Sequence, residues 1–177
     1  MAIPANFPKC TVFLAVKNLT EDSYKYVGSA FYVGISAGPG MFTYLVTARH
    51  VIDGVRSLGA TEIHIRVNFK DKTSGWTSVP LTKWGFHPTD ANVDVSALAF
   101  PLHPDWDHLA IPENAFMTKE KAAARHMGLG DEVFITGLFK FHEGKTRNIP
   151  ICRMGNLAAL DDEKLTRKNM EPLMHIS

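Results

Sequence analysis

The chain has 177 residues, 45% of them hydrophobic, and 19 Lys and Arg against 18 Asp and Glu leave a formal charge of +1. That length accommodates one ordinary domain or two small barrels with a real core, and the charge balance supplies no global field to hold nucleic acid or an anionic membrane. Two cysteines, Cys10 and Cys152, are too few for a metal box or a disulfide framework, although a single bridge between them stays open.

Residues 1–10 read as an N-terminal arm broken by Pro4 and Pro8. The arm lacks the basic and apolar regions of a signal peptide, and no run of about 18 apolar residues is present to span a bilayer. A soluble protein, cytoplasmic by default, is the expectation. Between residues 11 and 100 the apolar runs are short, rich in Val, Ile, Phe and Tyr, and punctuated by Gly, Pro, Asn and Asp, which is the pattern of an all-β fold. Strands are predicted over 11–17, 28–35, 43–47, 62–69, 77–84 and 95–100, with turns at 38–40 and 70–75. Six such strands suffice for a first closed β-barrel over 11–100. In 62–69 the period of two directs Ile63, Ile65, Val67 and Phe69 to the core and His64, Arg66 and Asn68 to water.

Residues 101–127 form a connector that opens with Pro101 and Pro104. Within it, Thr118 is a predicted N-cap for a short helix that ends near Gly128. The remainder, 128–177, reads as the start of a second barrel, with strands over 132–139 and 149–160 separated by the turn-forming Glu143-Gly144-Lys145. Two strands cannot close a barrel, and their open edges invite pairing with other chains. The expectation is a second barrel cut short. The mixed-sign run 161–168 reads as a solvated face.

Two segments carry the chemistry. In Tyr44-Leu-Val-Thr-Ala-Arg-His-Val-Ile-Asp-Gly54 an apolar strand runs into a short helical turn at His50. In Asn92-Val-Asp-Val-Ser-Ala-Leu-Ala-Phe100 a second apolar strand opens at Asp94, 44 residues after the histidine. A carboxylate so placed can reach the far nitrogen of the imidazole. Other candidates read as structural. His87 precedes Pro88 in a turn, and His103 and His108, near Asp105 and Asp107, lie in a proline-bearing connector with no helical face to converge them on a metal. Cys152 lies on a strand without a glycine elbow and reads as a buried thiol. Lys145, Arg147 and Arg153 have no stacking platform for single-stranded nucleic acid.

With these motifs on the page, the chain resembles the trypsin-like (chymotrypsin-fold) serine peptidases, in particular those of bacterial type. The matches fall in family order: Gly28-Ser-Ala-Phe-Tyr-Val33, Val46-Thr-Ala-Arg-His-Val51, Val93-Asp-Val-Ser-Ala-Leu98, then Gly130-Asp-Glu-Val-Phe-Ile-Thr-Gly137 with Gly155-Asn-Leu-Ala-Ala-Leu160. The resemblance implies a double β-barrel and peptide-bond hydrolysis through an acyl-enzyme without cofactor or metal. His50 would be general base and Asp94 its orienter, with a polypeptide as substrate or ligand. The family's Gly-x-Ser-Gly is absent from these 177 residues. Ser74-Gly75 comes closest but falls between His50 and Asp94, and by family order the serine is expected beyond Ser177. The alternative is an inactive, peptidase-like protein-binding module, and a cysteine nucleophile of viral type is a third reading.

Overall fold

A computed structural model describes Pro4 and residues 6–18, 20–139 and 142–158. Ten strands are present among them, in a large sheet and a separate hairpin. The large sheet comprises β1 (Thr11–Asn18), β2 (Ser23–Ala37), β3 (Gly40–Thr47), β4 (Glu62–Asn68), β5 (Ser74–Pro80), β6 (Gly85–Phe86), β7 (Ser96–Ala99) and β8 (Ile111–Pro112). Their order is β5-β4-β1-β2-β3-β7-β6, and the short β8 adds in parallel to β2 at Val33 and Gly34. Helix α1 (Arg49–Ser57) follows β3, and α2 (Lys119–Ala124) lies in the connector. The second sheet is the antiparallel pair β9 (Glu132–Gly137) and β10 (Ile151–Asn156).

The predicted all-β class holds, but the expected closed first barrel does not. Its strands form an open sheet with β5 and β6 at the two edges. The predicted strand over 77–84 accounts for this. Its real extent is 74–80, a 3-10 turn at Leu81–Lys83 ends it, and only Gly85–Phe86 resume pairing, with β7. One strand has become two on opposite edges. β2 begins at Ser23, five residues before its predicted start, because Asp22 takes a left-handed φ of 45° and turns the chain back onto β1.

Alternation explains the inner face. Leu14, Tyr32, Leu45, Ile63, Ile65, Val67 and Leu98 point inward with Ile52 and Val55 of α1, and all are buried. Helix α1 presents Ile52 and Val55 three apart, the spacing that puts two residues on one helical face. β1 departs from alternation: Thr11 to Ala15 are buried in succession. Both of its faces are covered, which removes the polar side an antiparallel strand normally shows to water. Leu14 faces the core, while Phe13 meets Tyr26 edge-on at 6.0 Å, and β9 packs against β1 and β2.

The predicted wet face of β4 also needs correction. Arg66 is buried, and His64 and Asn68 are half-buried. Tyr24 lies edge-on against His64 at 5.3 Å, and residues 143–149, within the segment that joins β9 to β10, fold back over Arg66 and Asn68. Arg66 donates through Nη1 to Gly144 O and the Tyr26 hydroxyl, both at 2.8 Å, through Nη2 to Lys145 O at 3.0 Å, and through Nε to Ser74 Oγ at 3.0 Å. Asn68 and Asn148 exchange bonds, Asn148 N to Asn68 Oδ1 at 2.7 Å and Asn68 Nδ2 to Asn148 O at 3.1 Å. Gly144 makes the bend possible. Its φ is 87°, and a Cβ there would collide with the Arg147 carbonyl.

A charged node pins the same strap. Asp107 accepts from Lys9 at 2.7 Å and from Arg147 at 3.0 Å. Burial is the largest single influence on its carboxyl and raises it. The hydrogen bonds and charges of Lys9 and Arg147 together outweigh that and hold Asp107 below the ordinary carboxylate range.

Candidate functional site

The site is built at the first turn of α1. A helix leaves its first N–H groups without intrahelical partners, and here the N-cap is Ala48, whose side chain can accept nothing. Asp94 supplies the acceptor from across the sheet. Its Oδ1 takes the His50 backbone N–H at 2.8 Å, and its Oδ2 lies 2.6 Å from His50 Nδ1. Two oxygens of one carboxylate therefore fix both the backbone and the ring of one residue.

An ionised carboxylate offers only acceptors, so the short ring contact requires the proton on Nδ1. The neutral imidazole then carries its lone pair on Nε2. The His50 side chain is 62% exposed and that of Asp94 38%, so the ring reaches solvent while the carboxylate that holds it is partly covered. Such an arrangement leaves a bare ring nitrogen facing solvent, able to accept a proton.

The loop that delivers Asp94 is itself held in place. Asp90 Oδ1 accepts from Asn92 N at 3.0 Å, closing an Asx turn. Arg49, one residue before the histidine, donates to Ala91 O at 3.1 Å and stacks over Phe86, tying the loop to α1. Asp94 ends this loop, and β7 pairs with β3 from Ser96 opposite Thr47. Strand register thus brings the two motif segments side by side.

The remaining candidates are occupied in other ways. His87 Nδ1 accepts from Asp90 N at 2.9 Å, which makes it a brace of the same loop. His103 Nδ1 accepts from Asp105 N, His108 Nδ1 donates to Trp106 O, and Asp107 is committed to Lys9 and Arg147. Among the described residues no group of three or more His, Cys, Asp or Glu is disposed to hold a metal ion. No helix among them is long and apolar enough to cross a membrane. Ser74, in the nearest approach to a nucleophile motif, accepts from Arg66 and donates to Thr146 O at 2.9 Å.

Both cysteines are free. Cys10 is buried, and burial pushes its thiol up. Cys152, expected to be buried, is exposed, with Sγ 3.0 Å from Thr136 Oγ1. The reason is its strand: β10 pairs with β9 alone, and no further strand of the described residues joins that two-stranded sheet. The charged run 161–168 and the end of the predicted strand over 149–160 lie outside the described residues.

Sequence reasoning missed the double use of Asp94, because a carboxylate capping a helix 44 residues away leaves no local signature. It also missed Arg49 as the tie to Ala91. A shallow apolar hollow of about 500 Å³ lies on the outer side of β3, β6 and β7, lined by Tyr44, Phe86, Val93 and Val95 among others. No protein-family model, curated protein or solved structure matches the chain.

Proposed function

We propose that these residues carry the base and orienter of a trypsin-like serine peptidase, within a chymotrypsin-like pair of β-units. His50 would take the nucleophile's proton at Nε2 and return it to the leaving amine. Asp94 would hold the ring in the Nδ1–H form and stabilise the imidazolium without itself becoming protonated. One observation carries this reading: the two-oxygen grip of Asp94 on His50, which orients the ring beyond what capping α1 requires. The substrate class is a polypeptide, and the hollow lined by Tyr44, Phe86, Val93 and Val95 suits an apolar side chain.

The reading requires a nucleophile, and the family's Gly-x-Ser-Gly is absent from these 177 residues. Among the described residues no serine, threonine or cysteine side chain is hydrogen-bonded to His50. The second reading is a peptidase-like module that binds polypeptide without cleaving it.

The test is fluorophosphonate labelling of the native gene product, isolated at its natural length, alongside His50→Ala. Labelling that falls by at least about 10³-fold in the variant supports the peptidase reading. Undiminished labelling removes His50 from the chemistry. An unlabelled native protein that still retains polypeptide selects the binding module.

A further inference from the structure

The β2–β3 ladder runs from Ala37 opposite Gly40 to Phe31 opposite Val46, after which β3 turns away to begin α1. Ser29 lies two residues past the end of that ladder. Three segments meet around it. Its carbonyl accepts the Thr47 hydroxyl at 2.8 Å, three residues before His50. Its own hydroxyl accepts the backbone N–H of Leu138 at 2.7 Å, immediately after β9. Its neighbour Gly28 lies so close to Val51, the residue after His50, that a Cβ there would stand 3.1 Å from a Val51 methyl.

The contact is tight on the other side as well. A Cβ on Gly137 would lie 3.2 Å from Ser29 Oγ, so β9 approaches this hydroxyl at backbone distance. The histidine turn is thus gripped on both flanks by Gly28 and Ser29, and the same serine holds the β9–β10 unit.

We propose that Ser29 is a positioning residue for His50, its carbonyl holding the histidine turn through Thr47 and its hydroxyl holding the second β-unit through Leu138. This rests on the reading of His50 and Asp94 as base and orienter. A base must lie within about 3 Å of the proton it takes, so a small slip between the units would remove it from reach. Ser29 resists that slip because the backbone amide it accepts belongs to the other unit. Thr47 transmits the constraint, since its side chain is buried and cannot relax into solvent.

The test is nuclear magnetic resonance on the full 177-residue chain, following the hydrogen-bonded Nδ1 proton of His50, the His50 ring nitrogens and the Leu138 amide. Ser29→Ala deletes the hydroxyl and keeps the carbonyl. Exchange of the Leu138 amide and of the His50 Nδ1 proton should each rise about tenfold, the scale of one net hydrogen bond. The amides of Leu45 and Ile65 should stay protected. Thr47→Val, which is nearly isosteric, should reproduce the His50 effect from the other side, and Ser29→Thr, which keeps a hydroxyl, should restore it.

Unchanged His50 resonances and exchange in both Ser29→Ala and Thr47→Val would overturn the inference, even if Leu138 opens. Asp94→Asn separates the two levels. If that variant leaves the Nδ1 proton unaltered, the base and orienter reading fails. If it abolishes the proton signal while Ser29→Ala and Thr47→Val change nothing, only the role of Ser29 fails.

Discussion

The large sheet and the β9–β10 hairpin are both antiparallel β-structure, yet they are held by different forces. The sheet buries Leu14, Leu45, Ile52, Ile63 and Ile65 completely. The hairpin leaves Ile135 and Met154 each 70% exposed and is tied to the sheet by polar contacts from Leu138 and from the segment that joins its two strands. Apolar burial is non-directional and scales with area, whereas a hydrogen bond fixes direction and fails when one partner is lost. The first unit should therefore be stable in itself, and the second should be oriented by a few named groups.

Truncation in the two regions breaks this comparison most sharply. Leu45→Ala removes a fully buried side chain and should cost about 2–5 kcal/mol in chemical denaturation. Ile135→Ala, on the exposed face of β9, should stay within about 0.5 kcal/mol. Equal costs would mean that the hairpin has a covered face like that of the sheet.

The strap offers an intermediate case. Arg66→Met keeps the length of the stem and deletes the donors to Gly144 O, Lys145 O, Ser74 and Tyr26. Hydrogen bonds from a charged donor contribute about 1.5–3 kcal/mol each at most, and losing all four of these part-buried ones together should detach the strap over 143–149. Hydrogen exchange should accelerate across residues 143–156 while the amides of β1 and β2 keep their protection. Uniform acceleration over the whole chain would show instead that the two units unfold as one.

The smallest expected effect is acid release of the Asp107 node. Its carboxyl lies below its ordinary value in the fold, so its contribution is complete above the ordinary carboxylate range and is lost as pH falls through the folded value. At neutral pH Asp107→Asn should therefore be less stable than the parent protein, and the two should converge in strong acid. A stability difference that persists unchanged into acid would show that packing, and not charge, holds Lys9 and Arg147 to this residue.

Much of the large sheet was legible because its signals are local. Alternation over 62–69 identified Ile63, Ile65 and Val67 as core, and the hairpin turn expected over 38–40 matches the Ala37–Gly40 pairing, with Gly38 at a φ of 59°. Thr118 also acts as the predicted cap, accepting from Lys121 N at 3.3 Å. What was not legible depends on distant residues. Period two assigns Arg66 to the outer face correctly, but says nothing of a strap 78 residues later whose carbonyls bury it. Barrel closure failed in the same way, because the split of 74–86 between opposite edges is decided by pairing partners and not by composition.

At the site, chain order and motif made His50 and Asp94 legible as a pair. Their two-point geometry was not, because Ala48 contributes no cap and the reason for Asp94 to bond the backbone appears only once α1 forms. The ties through Arg49 and Ser29 arise in the same way from segments far apart in sequence.

The most direct measurement of the central claim is the tautomeric state of His50, read from its ring nitrogen resonances at neutral pH in the 177-residue chain and in Asp94→Asn. The account predicts a proton held on Nδ1 with a bare Nε2 in the parent, and loss of that preference in the variant, whose amide can offer Nδ1 a donor as readily as an acceptor. A parent ring with its proton on Nε2, or a preference unchanged in Asp94→Asn, would contradict it.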